Sequence, residues 1–145
     1  SMDCVRTVLR MGAERSVMTY RRSIHEIPVE ELELEEAELE GVEIMYMVAP
    51  TRVIGDEDGR VVGLELVRNE LGAPDDKGRR RPEPVKGSEF VIPCDMVLVA
   101  IGQRQDNRLL AGVEVETDRR GVPLLDQNLK TQLPNVWAAG DYVVN

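Results

Sequence analysis

Soft metal ligands are scarce in this chain. Its 145 residues include two cysteines, Cys4 and Cys94, and one histidine, His25. The cysteines lie far apart and outside CxxC spacing, which leaves too few ligands for a zinc site and no disulfide framework. Both are expected to be reduced and buried in a cytoplasmic protein. Apolar content is 42%, which suits a globular domain with a genuine core, yet no apolar run approaches the roughly 20 residues needed to cross a bilayer. A charged start followed by an apolar block is missing at the N-terminus, so nothing reads as a secretory signal. Ser1 before Met2 reads as a tag remnant, with the natural start elsewhere. No nucleophile and base stand as a pair, and hydrolytic catalysis has no support.

Positive charge is missing from one long stretch. Between Ser23 and Thr51 there is no Lys or Arg, but there are nine glutamates: Glu26, Glu30, Glu31, Glu33, Glu35, Glu36, Glu38, Glu40 and Glu43. The net charge is -9, so the remainder of the chain balances to zero. Such a stretch repels nucleic acid and anionic membrane surfaces. It reads first as the solvated face of a helix; a partner-docking surface, on a complete non-catalytic module, is the alternative.

Periodicity gives an α/β order at the N-terminus. Met2 to Met11 reads as a helix with Val5, Val8 and Leu9 on one face, closed by Gly12, and with Arg6 and Arg10 on a more polar face. Ser16 to Tyr20 is rich in strand formers, and Arg21 and Arg22 follow it directly. Pro28 is placed to open a second helix with Val29, Leu32, Ala37 and Leu39 as its apolar positions and Gly41 as its end. Val42 to Met47 is the next strand. From Pro50 the pattern changes: Thr51 to Ile54, a turn at Gly55 to Gly59, and alternating Val61 to Val67 read as an antiparallel hairpin. Leu71 to Lys86, rich in Gly, Pro and charge, reads as a loop carrying Arg79, Arg80 and Arg81. Glu89 to Ile92 returns as a third strand of this small sheet.

Met96 to Ile101, MVLVAI, has the continuous apolar character of a strand buried on both faces of a parallel sheet, ending at Gly102. Asp95 before it sets a turn. Gly121 to Leu125 is a short strand. In LKTQLPNVWAAGDYV, Leu129 to Val143, Pro134 and Asn135 set a turn, Val136 to Ala139 form a strand, and small residues with a carboxylate close it. Such a strand end lets a ligand approach the backbone, and the carboxylate can accept hydrogen bonds from the ligand's sugar or polyol hydroxyls.

This stretch resembles the second flavin motif of two-dinucleotide-binding flavoproteins, Thr-x-x-Pro-x-Val-[Phe/Tyr/Trp]-Ala-x-Gly-Asp. MDCVRTVLRMGA, VMTYRRSIHEIP, AIGQ and PNVWAAGD, in that order, resemble the small (beta) subunit of NADPH-dependent glutamate synthase and its relatives, over nearly the whole chain from Met2 to Asp141. The family's GxGNxAMDxAR segment is represented only by its tail, Met2, Asp3, Cys4 and Arg6, and the chain has no GxGxxG or GxGxxA.

The resemblance implies an α/β, Rossmann-like FAD/NAD(P)-binding domain, incomplete, with a small antiparallel sheet inserted over 51–93. Residues 129–145 are then the start of the returning flavin-domain segment. It implies an NADPH-dependent flavin oxidoreductase that sends electrons to iron–sulfur clusters in other segments, with a larger electron-accepting subunit or domain as partner. In place of an acid for the NAD ribose, Arg21 and Arg22 offer guanidinium forks to the NADP 2′-phosphate. Ala100 and Gly102 match the family's crossing segment, where Gln105 stands in place of a frequent proline. Gly140 and Asp141 match the flavin-contacting pair, with Trp137 packing beside them. His25 reads as a surface residue, and no acid or base for catalysis falls within the chain. A relative with another electron acceptor fits the same residues. For the chain as given, weak NADPH binding and no retained flavin are expected, and an unpaired sheet edge invites a homodimer.

Overall fold

The computed structural model describes residues 1–75, 78–102, 106–110 and 112–143, which fall into two compact units, Ser1–Ile101 and Gly102–Asn145. In the first, helix α1 (Met2–Arg10) is followed by strand β1 (Val17–Tyr20), helix α2 (Glu31–Leu39) and strand β2 (Glu43–Tyr46). Strands β1 and β2 pair in parallel, Met18 beside Ile44 and Tyr20 beside Tyr46. Parallel neighbours need a crossover, which α2 supplies. Met2, Met18, Leu34, Ala37 and Val42 form the core between helices and strands, with Val5, Leu9, Val29 and Ile44 against it. Gly12, at φ +99°, lets the chain leave α1 in the left-handed region.

Helix α2 presents a different face from the one its periodicity predicts. Leu34 and Ala37, three residues apart, are buried, while Leu32 and Leu39 are 67% and 88% exposed. The helix begins at Glu31, three residues beyond Pro28, because a short 3-10 turn at Ile24–Glu26 comes first. That start sets which positions meet β1.

Strands β3 (Val48–Gly55), β4 (Val61–Pro74), β5 (Arg80–Pro84) and β6 (Phe90–Pro93) form the antiparallel part, with β4 pairing all three others. The β3–β4 turn is closed by Asp56, whose Oδ1 accepts from the N–H groups of Asp58 and Arg60 at 3.0 and 2.8 Å. Val48, Leu64 and Leu66 make a second core, joined by Phe90, Ile92 and Val97. The expected loop over 71–86 is instead largely strand: Leu71 pairs with Pro82 and Asn69 with Pro84. Prolines fit there because, among the described residues, β5 pairs with β4 alone and its outer edge needs no N–H donors.

Three further expectations are corrected. Met96 to Ile101 is no buried strand: Met96, Leu98, Val99 and Ile101 are 63%, 54%, 76% and 90% exposed, and no described strand pairs with it. An apolar run becomes a buried strand only when neighbours cover both faces, and among the described residues the parallel sheet has two strands, β1 and β2. In the second unit, the expected strands at 121–125 and 136–139 reduce to single bridges, Thr117 with Pro123 and Lys130 with Trp137. Side-chain-capped turns dominate there, as at Asp118, which accepts from Arg120 and Val122, and Asp126, which accepts from Asn128 and Lys130. Finally, Cys4 is exposed and Cys94 half-buried, both as free thiols. Cys4 lines an apolar groove of about 420 Å³ with Val8, Met11, Met96 and Leu98. Burial and the neighbouring Asp95 push the Cys94 thiol up, which keeps it protonated and inert.

Candidate cofactor site

The carboxyl end of β1 carries the arginine pair. Arg21 and Arg22 follow Tyr20, the last residue of the strand, in a bend that leads into the 3-10 turn. Ser23 caps that turn: its Oγ accepts from the His25 N–H at 3.2 Å, and its own N–H donates to Glu26 Oε2 at 3.1 Å. The Ser23 hydroxyl also bonds Glu26, and these bonds hold the Glu26 carboxyl below the usual carboxylate range. Tyr20 ties the far side, donating its hydroxyl to the Glu26 carbonyl at 2.7 Å. The loop is thus fixed by its own polar groups. Arg21 is exposed and Arg22 half-buried.

One atom in this loop lacks what burial normally requires. Arg22 Nε is buried with no hydrogen-bond partner among the described residues. A buried, charged donor left unpaired is costly, and an anionic ligand oxygen is the natural acceptor. The Tyr46 hydroxyl, on the neighbouring strand, is likewise buried and unpartnered, and burial together with Glu38 raises its pKa. His25 is exposed.

Two residues invisible to motif reading hold the loop from behind. Met47 donates its N–H to the Arg22 carbonyl at 3.0 Å, from a backbone at φ +59°. Asn69, on β4 and 6% exposed, donates its Nδ2 to the Arg21 carbonyl at 3.0 Å and its N–H to the Met47 carbonyl at 2.7 Å. Its signal in the sequence was a polar side chain within the apolar β4 run, without any hint of a partner 48 positions away.

The acidic stretch is more than a solvated face. Glu36 on α2 and Glu40 at its C-cap meet Arg6 at 3.0 and 2.6 Å, and Glu43 meets Arg15 at 2.7 Å. Of the remaining α2 glutamates, Glu31, Glu35 and Glu38 are exposed and Glu33 is half-buried.

Of the other expected residues, Ala100 is exposed near the end of the first unit and Gly102 turns at φ +103°. Gln105 lies outside the described residues. Gly140, at φ +68° with open space where a Cβ would stand, starts a 3-10 turn with Asp141, which is exposed and makes no hydrogen bond among the described residues. Trp137 is 55% exposed, with the Lys130 ammonium 5.6 Å from its ring centroid. Thr131 is buried and ties the turn that follows it, donating both its hydroxyl and its N–H to the Val136 carbonyl. Arg21 with Arg22 and Gly140 with Asp141 therefore form two separate groups, one in each unit.

Residues 2–145 match the pyridine nucleotide-disulphide oxidoreductase family. The chain belongs to that family. It is 46% identical over 145 residues to the NADP(+)-dependent formate dehydrogenase subunit beta of Moorella thermoacetica, covering 99% of this chain and 20% of that protein. To the glutamate synthase [NADPH] small chain of Escherichia coli it is 40% identical, covering 99% and 31%. To the NADPH-Fe(3+) oxidoreductase subunit beta of Geobacter sulfurreducens it is 55% identical over 106 residues, covering 73% and 16%. The chain thus spans less than a third of each of these relatives. Among solved structures, T. acidophilum thioredoxin reductase superposes with a TM-score of 0.71 at 18% identity, over 99% of this chain and 41% of that one. That likeness establishes a Rossmann-type FAD/NAD(P)-binding fold. It agrees with the expected architecture, an incomplete α/β domain with an inserted antiparallel sheet.

Proposed function

We propose that this chain is the NADPH-recognising part of a flavin-dependent oxidoreductase, with the 2′-phosphate received at Arg21 and Arg22. The orphaned, buried Nε of Arg22 carries the reading, because it supplies a charged donor with no acceptor at the carboxyl end of a parallel strand, where nucleotides bind in such folds. A dianionic phosphate there satisfies the donor, and the planar guanidinium presents its other N–H groups alongside. A carboxylate in its place, as in an NAD site, would repel the phosphate.

When bound, NADPH supplies a hydride to FAD, and the electrons pass on towards iron–sulfur clusters in other segments of the assembly. This chain's own residues bind and orient. Arg21 and Arg22 hold the nucleotide's phosphate, Gly140 and Asp141 offer an open turn and a carboxylate to flavin hydroxyls, and Ala100 with Gly102 forms the crossing between the two binding regions. Two of the relatives are named as subunits and one as a small chain, which supports a larger electron-accepting partner; the complex is placed in the cytoplasm as part of the same proposal. The 145 residues alone lack the glycine-rich turn that cradles a pyrophosphate, so they bind NADPH weakly and retain no flavin. Two copies pair along the exposed 96–101 segment.

Thermal denaturation with millimolar NADPH against NADH tests the arginine assignment. NADPH raises the midpoint more than NADH does, since binding to the folded state alone is stabilising. An equal or larger effect of NADH, or no effect of NADPH, overturns the assignment. The purified chain is expected to be colourless; a flavin absorbance band overturns the statement on FAD.

A further inference from the structure

The antiparallel sheet is separate from the parallel pair β1 and β2, yet one of its residues reaches the arginine loop. Asn69 sits on β4, opposite Pro84 of β5. Its side chain is 6% exposed and its Nδ2 donates to the Arg21 carbonyl at 3.0 Å. Its backbone N–H donates to the Met47 carbonyl at 2.7 Å, and the Met47 N–H in turn donates to the Arg22 carbonyl at 3.0 Å. Two consecutive carbonyls, those of Arg21 and Arg22, are therefore held by a chain of bonds that begins at one residue of the sheet.

We infer that Asn69 is a positioning residue for 2′-phosphate recognition: it sets where Arg21 and Arg22 stand and so makes the antiparallel sheet part of the specificity for NADPH over NADH. The inference rests on the assignment of Arg21 and Arg22 to that phosphate. Three observations carry it. First, the contact is to the backbone of the arginine loop, so it fixes the loop's position without competing for the guanidinium groups. Second, the bond is shielded from solvent, where a hydrogen bond is held most firmly and a lost partner is not replaced by water. Third, the loop continues into a turn anchored by Ser23, Glu26 and Tyr20, so the stretch from Arg21 to Arg22 is pinned on both sides and Asn69 is the anchor on the sheet side. A displacement of about 1 Å is enough to spoil a bidentate guanidinium–phosphate contact.

The test compares wild type with Asn69→Leu and Asn69→Asp, two substitutions of nearly the same shape that cannot donate to the Arg21 carbonyl. Asn69→Ser keeps a donor and serves as the conservative variant. NADPH and NADH binding are each titrated calorimetrically, and a urea midpoint confirms that every variant is folded. The expected result is a loss of roughly 5- to 10-fold in NADPH affinity for the Leu and Asp variants, the size of one misplaced phosphate contact. NADH binding is unchanged and the Ser variant recovers part of the loss. Combining Asn69→Leu with Arg22→Ala adds little to Arg22→Ala alone, since both act on one contact. If Arg22→Ala alters the NADPH to NADH ratio and neither Asn69→Leu nor Asn69→Asp does, Asn69 is merely structural and the inference falls. Should Arg22→Ala and Arg21→Ala both leave the ratio untouched, the phosphate assignment itself falls. A loss of equal size for NADPH and NADH also overturns the role, because it reports general loosening and not phosphate recognition.

Discussion

Arg6, on α1, donates through Nη2 to Oε1 of Glu40 at 2.6 Å, and Glu40 is the residue that ends α2. A carboxylate at a helix C-terminus faces the negative end of the helix dipole, and α2 has no basic residue in its last turn. Arg6 and Arg10 bring the missing cations from α1, clamping the two helices over the core. Arg6 and Arg10, a turn apart on the polar face of α1, thus have a structural task.

The same contact gives a pH signature. Hydrogen bonds from Arg6, then from Arg10, pull the Glu40 carboxyl down to about 2, against an ordinary value of about 4.3. A carboxylate with a depressed folded-state pKa contributes stability that is complete above its unfolded value and vanishes as pH falls through the folded one. The melting-temperature gap between wild type and Glu40→Gln is therefore largest above about pH 5 and closes towards pH 2. A gap independent of pH refutes the clamp.

Leu66 is fully buried at the centre of β4, with β3 on one side and β6 on the other. Leu66→Ala removes packing from the second core and leaves a cavity, at a cost of about 2–5 kcal/mol. Urea denaturation reads this as a lower midpoint with the slope retained. Val53→Ala, at a half-exposed position on β3, costs well under half as much.

Much of this architecture was legible because local pattern and final environment agree. The helix at Met2–Arg10, the parallel pair β1 and β2 and the β3–β4 hairpin follow from spacing, turn residues and Gly12, Asp56 and Gly59 in their turns. Reading failed where the neighbour decides. Met96 to Ile101 has the composition of a buried strand and no strand beside it among the described residues, while the prolines of β5 conceal a strand because an edge position tolerates them. At the site, Arg21 and Arg22 were found by their place after β1. Asn69 was not, since its bond to Arg21 spans 48 residues and leaves no periodic trace.

Met47 joins β2 to β3 at φ +59°, a conformation that costs a side-chain-bearing residue about 1 kcal/mol. Met47→Gly relieves that strain and leaves stability unchanged or raised by up to about 1 kcal/mol. Met47→Val, β-branched at the same φ, costs about 1–3 kcal/mol. Because Met47 donates to the Arg22 carbonyl, the Val variant also weakens NADPH binding. Chemical denaturation and nucleotide titration check the two effects separately.

Self-pairing along 96–101 has a direct readout. The segment MVLVAI is uncharged, free of proline and, apart from half-buried Val97, exposed, and its backbone groups make no hydrogen bonds among the described residues, which is the condition under which an extended segment adds to a second copy of itself. Light scattering after size exclusion gives a dimer at roughly 100 μM for wild type, and Val99→Lys gives a monomer, because the charge has no partner across the pair. A wild type that is monomeric at that concentration removes the pairing.

The last prediction separates charge from geometry at Arg22. If the guanidinium fork matters, Arg22→Lys keeps the charge yet loses the planar donor pair and the Nε–H that now lacks a partner. Removing one charge-assisted hydrogen bond costs about 1.5–3 kcal/mol, or roughly 10- to 100-fold in Kd. Arg22→Ala then weakens NADPH binding by that range, Arg22→Lys by most of it, and NADH binding by neither. Arg21 is exposed and contributes through a solvent-screened contact, so Arg21→Ala costs less, about 1 kcal/mol or under. Raising the salt concentration diminishes the Arg21 contribution more than that of Arg22, since screening acts on exposed charges first. Lys restoring full NADPH affinity at position 22 would show that charge alone suffices and that the orphaned Nε–H has no acceptor in the complex.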